Sequence, residues 1–137
     1  MVRAQYSAGL GILLGVAIGA ISVGALNAQS KTPGAYLIFA YTDVPDPAGF
    51  KEHVLDKAQQ TIEAGGGRVL ARAAAPNEFV MLVPGDPPFP LKRLSLLGFD
   101  SVAQAKEFWT KQAGQEGRSY IEQHTKVRVF AVEAAKQ

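Results

Sequence analysis

The sequence predicts one small α+β domain whose segments follow the order β-α-β-β-α-β. Runs rich in β-branched, aromatic and other apolar residues lie at 35–43, 68–74, 92–99 and 126–134, which is typical of strands. Apolar residues at helical spacing lie between the first and second runs, and again between the third and fourth. This order predicts a ferredoxin-like antiparallel sheet with both helices on one face.

An apolar leader, residues 1–28, precedes the predicted domain and carries a single charged residue. A basic start, an apolar stretch and a small residue, Ala28, are typical of a cleaved secretory signal. The alternative is a retained membrane anchor, because Gly11, Gly15 and Gly19 share one helix face that would let two helices approach closely. We expect a periplasmic or secreted protein after cleavage near Ala28; the alternative is a membrane-anchored protein facing out of the cytoplasm.

The rest of the chain divides into a tether at 29–34, the domain at 35–134 and a tail at 135–137. Its length suffices for one domain. The chain has no cysteine, which excludes thiol enzymes and cysteine-ligated metals. The net charge is only +2 and no basic cluster is present, so nucleic-acid binding is not expected.

The first helix is predicted from its cap and its apolar stripe. Asp46 suits the N-cap position, and Pro47 suits the first helical position because its missing N–H costs nothing there. The residues that repeat every four positions and predict the buried stripe are Phe50, Val54, Ala58 and Ile62. Three glycines at 65–67 are expected to end the helix.

The second half of the chain is predicted in the same way. Residues 78–83 are expected to form a short strand or a strand extension, and Gly98 is expected to mark a bulge. Ser101 and Gln104 have the spacing of a capping box and open a second helix. On one face of this helix lie Ala105, Phe108, Trp109 and Gln112. Gly114 and Gly117 are expected to interrupt it, with a further turn at 120–125.

Both faces of the predicted sheet are apolar. Residues 37–39 read Leu-Ile-Phe and residues 96–97 read Leu-Leu, so consecutive residues that point to opposite faces are all hydrophobic. Helices can cover only one of these faces. We therefore expect a homodimer in which the sheet face of one copy covers that of the other.

The element order and several short segments together resemble the uncharacterised family called domain of unknown function 1330, of the dimeric α/β-barrel superfamily. The segments that carry the resemblance are residues 43–51, 66–72, 85–86, 94–101 and 105–109, with Arg128 and residues 132–133. The chain departs from the family pattern at Pro84, at Gly98 and at residues 110–113. The resemblance implies a ferredoxin-like fold forming a dimeric α/β barrel, and implies no known reaction.

No catalytic constellation is evident in the sequence. His53 and His124 are the only histidines and have no metal-binding spacing, so neither a metal nor a cofactor is expected. Tyr36 and Tyr41 point to opposite faces of the first strand, and only one of them can face the helices. The side chains that we consider for a pocket between sheet and helices are Tyr36, Tyr41, Arg72, Trp109, His124 and Arg128.

These observations favour a ligand-binding or interaction module that takes a small apolar or anionic ligand. One alternative is a small-molecule enzyme with a pocket between sheet and helices, similar to the cofactor-poor monooxygenases of the wider superfamily. Another is an accessory subunit of a larger membrane assembly, if the leader is retained.

Overall fold

A computed structural model describes residues 32–111 and 116–136 of the chain. The leader at 1–28 and most of the predicted tether lie outside the described residues, as do Gln112 and Gly114. A compact unit begins at Pro33 and includes the whole predicted domain. Within the described ranges, no helix combines the length and the apolar character needed to cross a membrane.

The domain has four strands and helical segments on one face of the sheet. The strands are β1 Ala35–Asp43, β2 Arg68–Ala74, β3 Arg93–Phe99 and β4 Lys126–Glu133. The helices are α1 Pro47–Phe50, a π-helical turn Lys51–Leu55, α2 Asp56–Ala64, α3 Val102–Lys111 and α4 Glu116–His124. The sheet is antiparallel with the order β2-β3-β1-β4, which confirms the predicted ferredoxin-like class.

The predicted caps position both helical regions. Asp46 Oδ1 accepts the Gly49 backbone N–H at 3.0 Å, and Pro47 follows it at the first helical position. Ser101 Oγ accepts the Gln104 backbone N–H at 3.0 Å. The Gln104 side chain reaches back to the Asp100 N–H at 2.7 Å, one residue before the position that a capping box usually uses.

The core lies between the inner face of the sheet and the helices. From the sheet, Leu37, Phe39, Leu97 and Phe99 are buried in it. From the helices, the buried residues that meet them are Phe50, Ile62, Ala105, Phe108 and Ile121. The predicted stripe of the first helical region is therefore confirmed at its two ends, and Val54 and Ala58 pack against the same core half-buried.

The bulge lies elsewhere than predicted. The β1–β3 register runs unbroken through Gly98, whereas the β2–β3 register shifts between Val69 and Ala71. Glycine at 98 has a packing reason instead. A Cβ there would lie 3.0 Å from Pro33 Cγ and 3.1 Å from Leu70 Cδ1, so both side chains cover that position closely.

Two further predictions are corrected in the second half of the chain. Residues 78–83 form no strand in the described structure, because no neighbouring strand of this chain pairs with them. The last helix begins at Glu116, so Gly117 lies inside it, and it is longer than the predicted turn at 120–125. Glycine lowers helix stability without preventing a helix that tertiary contacts support.

The outer face of the sheet is apolar, and no helix of residues 32–111 and 116–136 packs on it. The register places Tyr36 opposite Gly98 and Val132, and Ile38 opposite Leu96 and Phe130, all on this face. Phe130 remains 46 % exposed and Val132 41 % exposed. These two apolar side chains of β4 therefore remain accessible to solvent on the outer face.

Candidate functional site

A cavity of about 240 Å³ lies between the inner face of the sheet and the helical layer. Its floor is formed by strand residues that the β1–β3–β2 register places side by side: Phe39, Tyr41, Leu97, Ser95 and Arg72. Its walls include Phe50, Val54, Ala58, Ile62, Phe108 and Ile121 from the helices. The cavity is therefore apolar in its body and lies next to the core.

Trp109 on α3 forms one wall of the cavity. Its ring meets Phe39 edge-on, with ring centroids 5.4 Å apart and an interplanar angle of 74°. Arg118 on α4 lies over the other side of the indole, 4.9 Å from the ring centroid. The same guanidinium donates from Nη1 to the Trp109 carbonyl at 2.8 Å, and its Nε lies 3.3 Å from Glu122 Oε2. These contacts hold both side chains at the cavity wall.

The charged groups that line the cavity are mostly cationic. Lys57, Arg72 and Arg118 line it, and Glu116 is the carboxylate among the lining residues. Arg72 has no ion pair or hydrogen bond to another of the residues that the structure describes. Arg72 is exposed at the margin of the cavity, so its guanidinium is accessible to an anion.

Buried groups next to the cavity add to this positive character. Tyr41 and Arg93 face each other across β1 and β3 on the inner face of the sheet. Burial raises the pKa of the Tyr41 phenol, and the nearby Arg93 charge opposes that rise. Burial lowers the pKa of Arg93 and the nearby Tyr41 opposes this shift; the like charge of Arg72 lowers the pKa further, and the Glu78 carboxylate opposes that. An anion bound near Arg72 would offset this repulsion between the two arginines.

A histidine–carboxylate pair lies at the rim of the same cavity. His53 Nδ1 contacts Glu116 Oε2, and Lys57 Nζ donates to Glu116 Oε1 at 2.5 Å. The Tyr120 ring stacks on His53, with centroids 4.8 Å apart. A carboxylate on Nδ1 favours the tautomer whose Nε2 accepts a proton, so this arrangement is chemically able to act as a base.

The structure brings three of the six sequence-derived pocket residues to this cavity. Tyr41, Arg72 and Trp109 line it. Tyr36 and Arg128 lie on the outer face of the sheet, as their register partners show. His124 is exposed, and its ring stacks on Tyr120, 4.5 Å away between centroids.

Sequence reasoning missed His53, Lys57, Glu116 and Arg118. His53 and Glu116 are 63 positions apart, so no local spacing connects them. Arg118 follows the only tryptophan by nine positions and lies on the next helix, so no sequence spacing predicts that its guanidinium stacks on Trp109. Among the described residues, no group of three or more His, Asp or Glu side chains converges to hold a metal ion.

The Glu116 contacts predict a pH-dependent contribution to stability. Hydrogen bonds from Lys57 and from His53 lower the pKa of the Glu116 carboxyl. A carboxyl whose pKa is lower in the folded chain stabilises the fold above its unfolded pKa, and that stabilisation is lost as the pH falls through its folded pKa. We expect Glu116→Gln to lower the melting temperature by a few degrees at most near pH 7, and by progressively less as the pH falls through the lowered pKa of Glu116.

The measurement is thermal unfolding of both proteins across this pH range, with Glu52→Gln as the control. Glu52 is exposed, and no ion pair joins it to the residues that the structure describes. A difference between wild type and Glu116→Gln that persisted unchanged at low pH would contradict the ion-pair explanation.

The antiparallel sheet, the helices on its inner face and the cavity between them define a ferredoxin-like α+β domain. The family model that matches residues 34–135 is described as Domain of unknown function (DUF1330). Since the match covers most of the chain, the protein belongs to this family. No curated protein matches the sequence.

One solved structure shares this fold, and a second is more weakly similar. A protein of unknown function from Rhodopseudomonas palustris is similar, with a TM-score of 0.52 at 16 % identity, covering 85 % of this chain and 94 % of the other. An uncharacterised NIPSNAP-like domain protein from Burkholderia xenovorans has a TM-score of 0.48 at 12 % identity, and the match covers 74 % of this chain and 85 % of the other. The first likeness supports the fold alone.

Proposed function

We propose that this protein is a homodimeric binding protein for a small anion with an apolar body, held in the cavity between sheet and helices. The observation that carries the proposal is the composition of the cavity. Its body is lined by aromatic and aliphatic side chains. Of the three cations at its margin, Lys57 pairs with Glu116 and Arg118 with Glu122, and Arg72 has no carboxylate partner among the described residues. Few polar groups around an apolar concave site are typical of small-molecule binding.

The size of the cavity restricts the ligand. An apolar cavity of about 150 Å³ holds benzene, so about 240 Å³ accommodates a somewhat larger body, such as a short acyl chain. Arg72 lies at one end of the cavity and Trp109 at another wall. A carboxylate or similar acid group would pair with Arg72, because charge-assisted hydrogen bonds to a guanidinium are strong. The apolar body would then pack against Trp109.

The homodimer is part of the proposal because the outer face of the sheet needs a cover. Its exposed apolar residues lie on the face opposite the cavity, so a second copy can cover them and leave the ligand site free. Most soluble oligomers are symmetric dimers in which the same patch of both copies meets.

The chain offers a direct test of ligand binding, because Trp109 is its only tryptophan and lines the cavity. Octanoate is the probe, titrated into the protein while the tryptophan fluorescence is recorded. We expect a saturable change in wild type. Arg72→Gln should weaken octanoate binding by about tenfold, since it removes one charge-assisted contact.

Two controls separate the anionic and apolar parts of the interaction. Titration with 1-octanol should be unaffected by Arg72→Gln, because the alcohol carries no charge. Lys106→Gln removes one cation from the exposed surface of α3 and should leave octanoate binding unchanged. An unsaturable octanoate response in wild type, or equal affinities of wild type and Arg72→Gln, would contradict the proposed site.

A further inference from the structure

Residues 78–83, here called the arm, lie in the connection between β2 and β3 and present apolar side chains to solvent. Val80 is 79 % exposed and Leu82 is 87 % exposed. Phe79 and Met81, which alternate with them, are half-buried. Val83 is also 87 % exposed, so the end of the arm has two consecutive apolar side chains in solvent, although the arm belongs to no strand of the described sheet.

The backbone of the arm is also unpaired. The turn before the arm is closed by a hydrogen bond that the Glu78 N–H donates to the Ala74 carbonyl at 3.0 Å. The loop after the arm is closed by a hydrogen bond that the Phe89 N–H donates to the Pro84 carbonyl at 2.8 Å. Between these two bonds, no residue from 79 to 83 exchanges a backbone hydrogen bond with another described residue. An unpaired apolar strand is a template for pairing with another chain.

We propose that the arm is an interaction strand covered by a second copy of this chain, an inference that rests on the homodimer proposed above. The arm follows β2, which is an edge strand of the sheet, after a short turn. One molecule therefore has two exposed apolar surfaces, the arm and the outer face of the sheet. A two-fold dimer buries both surfaces in both copies through one interface.

Charge complementarity favours a second copy as the occupant. The only charged residues from 75 to 91 are Glu78 and Asp86, both acidic. The outer face has arginines on its two edge strands, Arg68 on β2 and Arg128 on β4. An arm lying along the partner's outer face therefore brings Glu78, with Asp86 just beyond the arm, toward basic residues, and apolar residues toward apolar ones.

Hydrogen–deuterium exchange of the arm amides tests this inference on the full chain. In a single copy these amides have no backbone partner, so they should exchange as fast as those of an unstructured peptide. In the dimer we expect protection of at least about a hundredfold. Val80→Lys with Leu82→Lys should remove the protection and weaken the dimer. The control pair Gln60→Lys with Ala103→Lys, on exposed helix positions, should change neither.

The outcomes separate this inference from the homodimer itself. Arm amides that exchange freely in a protein shown by sedimentation to be a dimer would overturn the role of the arm and leave the sheet-face dimer standing. A monomer at all concentrations would overturn both. Protection that persisted in a monomeric Phe130→Lys variant would mean that the arm is covered by its own chain, and would also overturn the inference.

Discussion

Phe130→Lys is expected to raise the dissociation constant of the homodimer by at least about a hundredfold. Phe130 lies on the outer face of the sheet opposite Ile38 and is half-exposed in one copy. In the proposed dimer it becomes buried, and an uncompensated buried charge costs roughly 3–5 kcal/mol, which is more than a hundredfold in affinity. Sedimentation velocity over a concentration series measures this shift.

The control for this prediction is Gln60→Lys, which adds the same charge at an exposed position on α2. It should leave the dissociation constant unchanged. Both variants should melt like the wild-type monomer, since neither position belongs to the core. If wild type sedimented as a monomer at micromolar concentration, or if Phe130→Lys stayed dimeric with unchanged affinity, the outer face would not be the dimer interface.

Phe99→Ala is expected to lower the free energy of unfolding by about 3–5 kcal/mol, the usual range for removing a buried phenylalanine ring. The Phe99 side chain is fully buried, and its ring lies 5.2 Å from that of Phe108 between centroids. A Cβ on Gly67 would come within 2.6 Å of the ring, so the site is tightly packed and cannot easily collapse around the loss. Denaturant unfolding measures the effect.

A loss of this size is a large part of a small domain's stability, so Phe99→Leu provides a milder second variant. The free energy of unfolding of Phe99→Leu should fall by less than that of Phe99→Ala, and the variant should remain folded. Phe89→Ala, at a half-exposed position in the long loop, should cost under about 1 kcal/mol. A loss for Phe99→Ala as small as that for Phe89→Ala would contradict the assignment of the core.

The sequence was sufficient to predict the parts of the fold that depend on local chemistry. Asp46 and Ser101 cap helices because their side-chain oxygens accept backbone N–H groups three residues on, a contact that needs no distant partner. The spacing of Phe50 and Ile62 likewise identified the buried side of the first helical region. The alternation within the first strand correctly placed Tyr36 and Tyr41 on opposite faces.

The remaining features depend on contacts between distant parts of the chain. The cavity margin combines His53 from the first helical region with Glu116 from the last helix, and no periodicity encodes that meeting. A glycine within a strand sequence suggested a bulge at Gly98. The fold shows instead that the side chains of Pro33 and Leu70 pack over this position. Residues 78–83 have a strand-like sequence and no strand partner within the described chain. From this discrepancy we infer that a second copy of the chain covers them.

The claim that the cavity binds an apolar anion is tested most directly by locating bound octanoate. Isotope-filtered nuclear Overhauser measurements on the labelled protein report which side chains touch the acyl protons. The account predicts contacts with the Trp109 ring and with methyl groups of Ile62 and Leu97, all of which line the cavity. Contacts with Val132 and Leu70 on the outer face of the sheet, or no contacts at saturating octanoate, would contradict it.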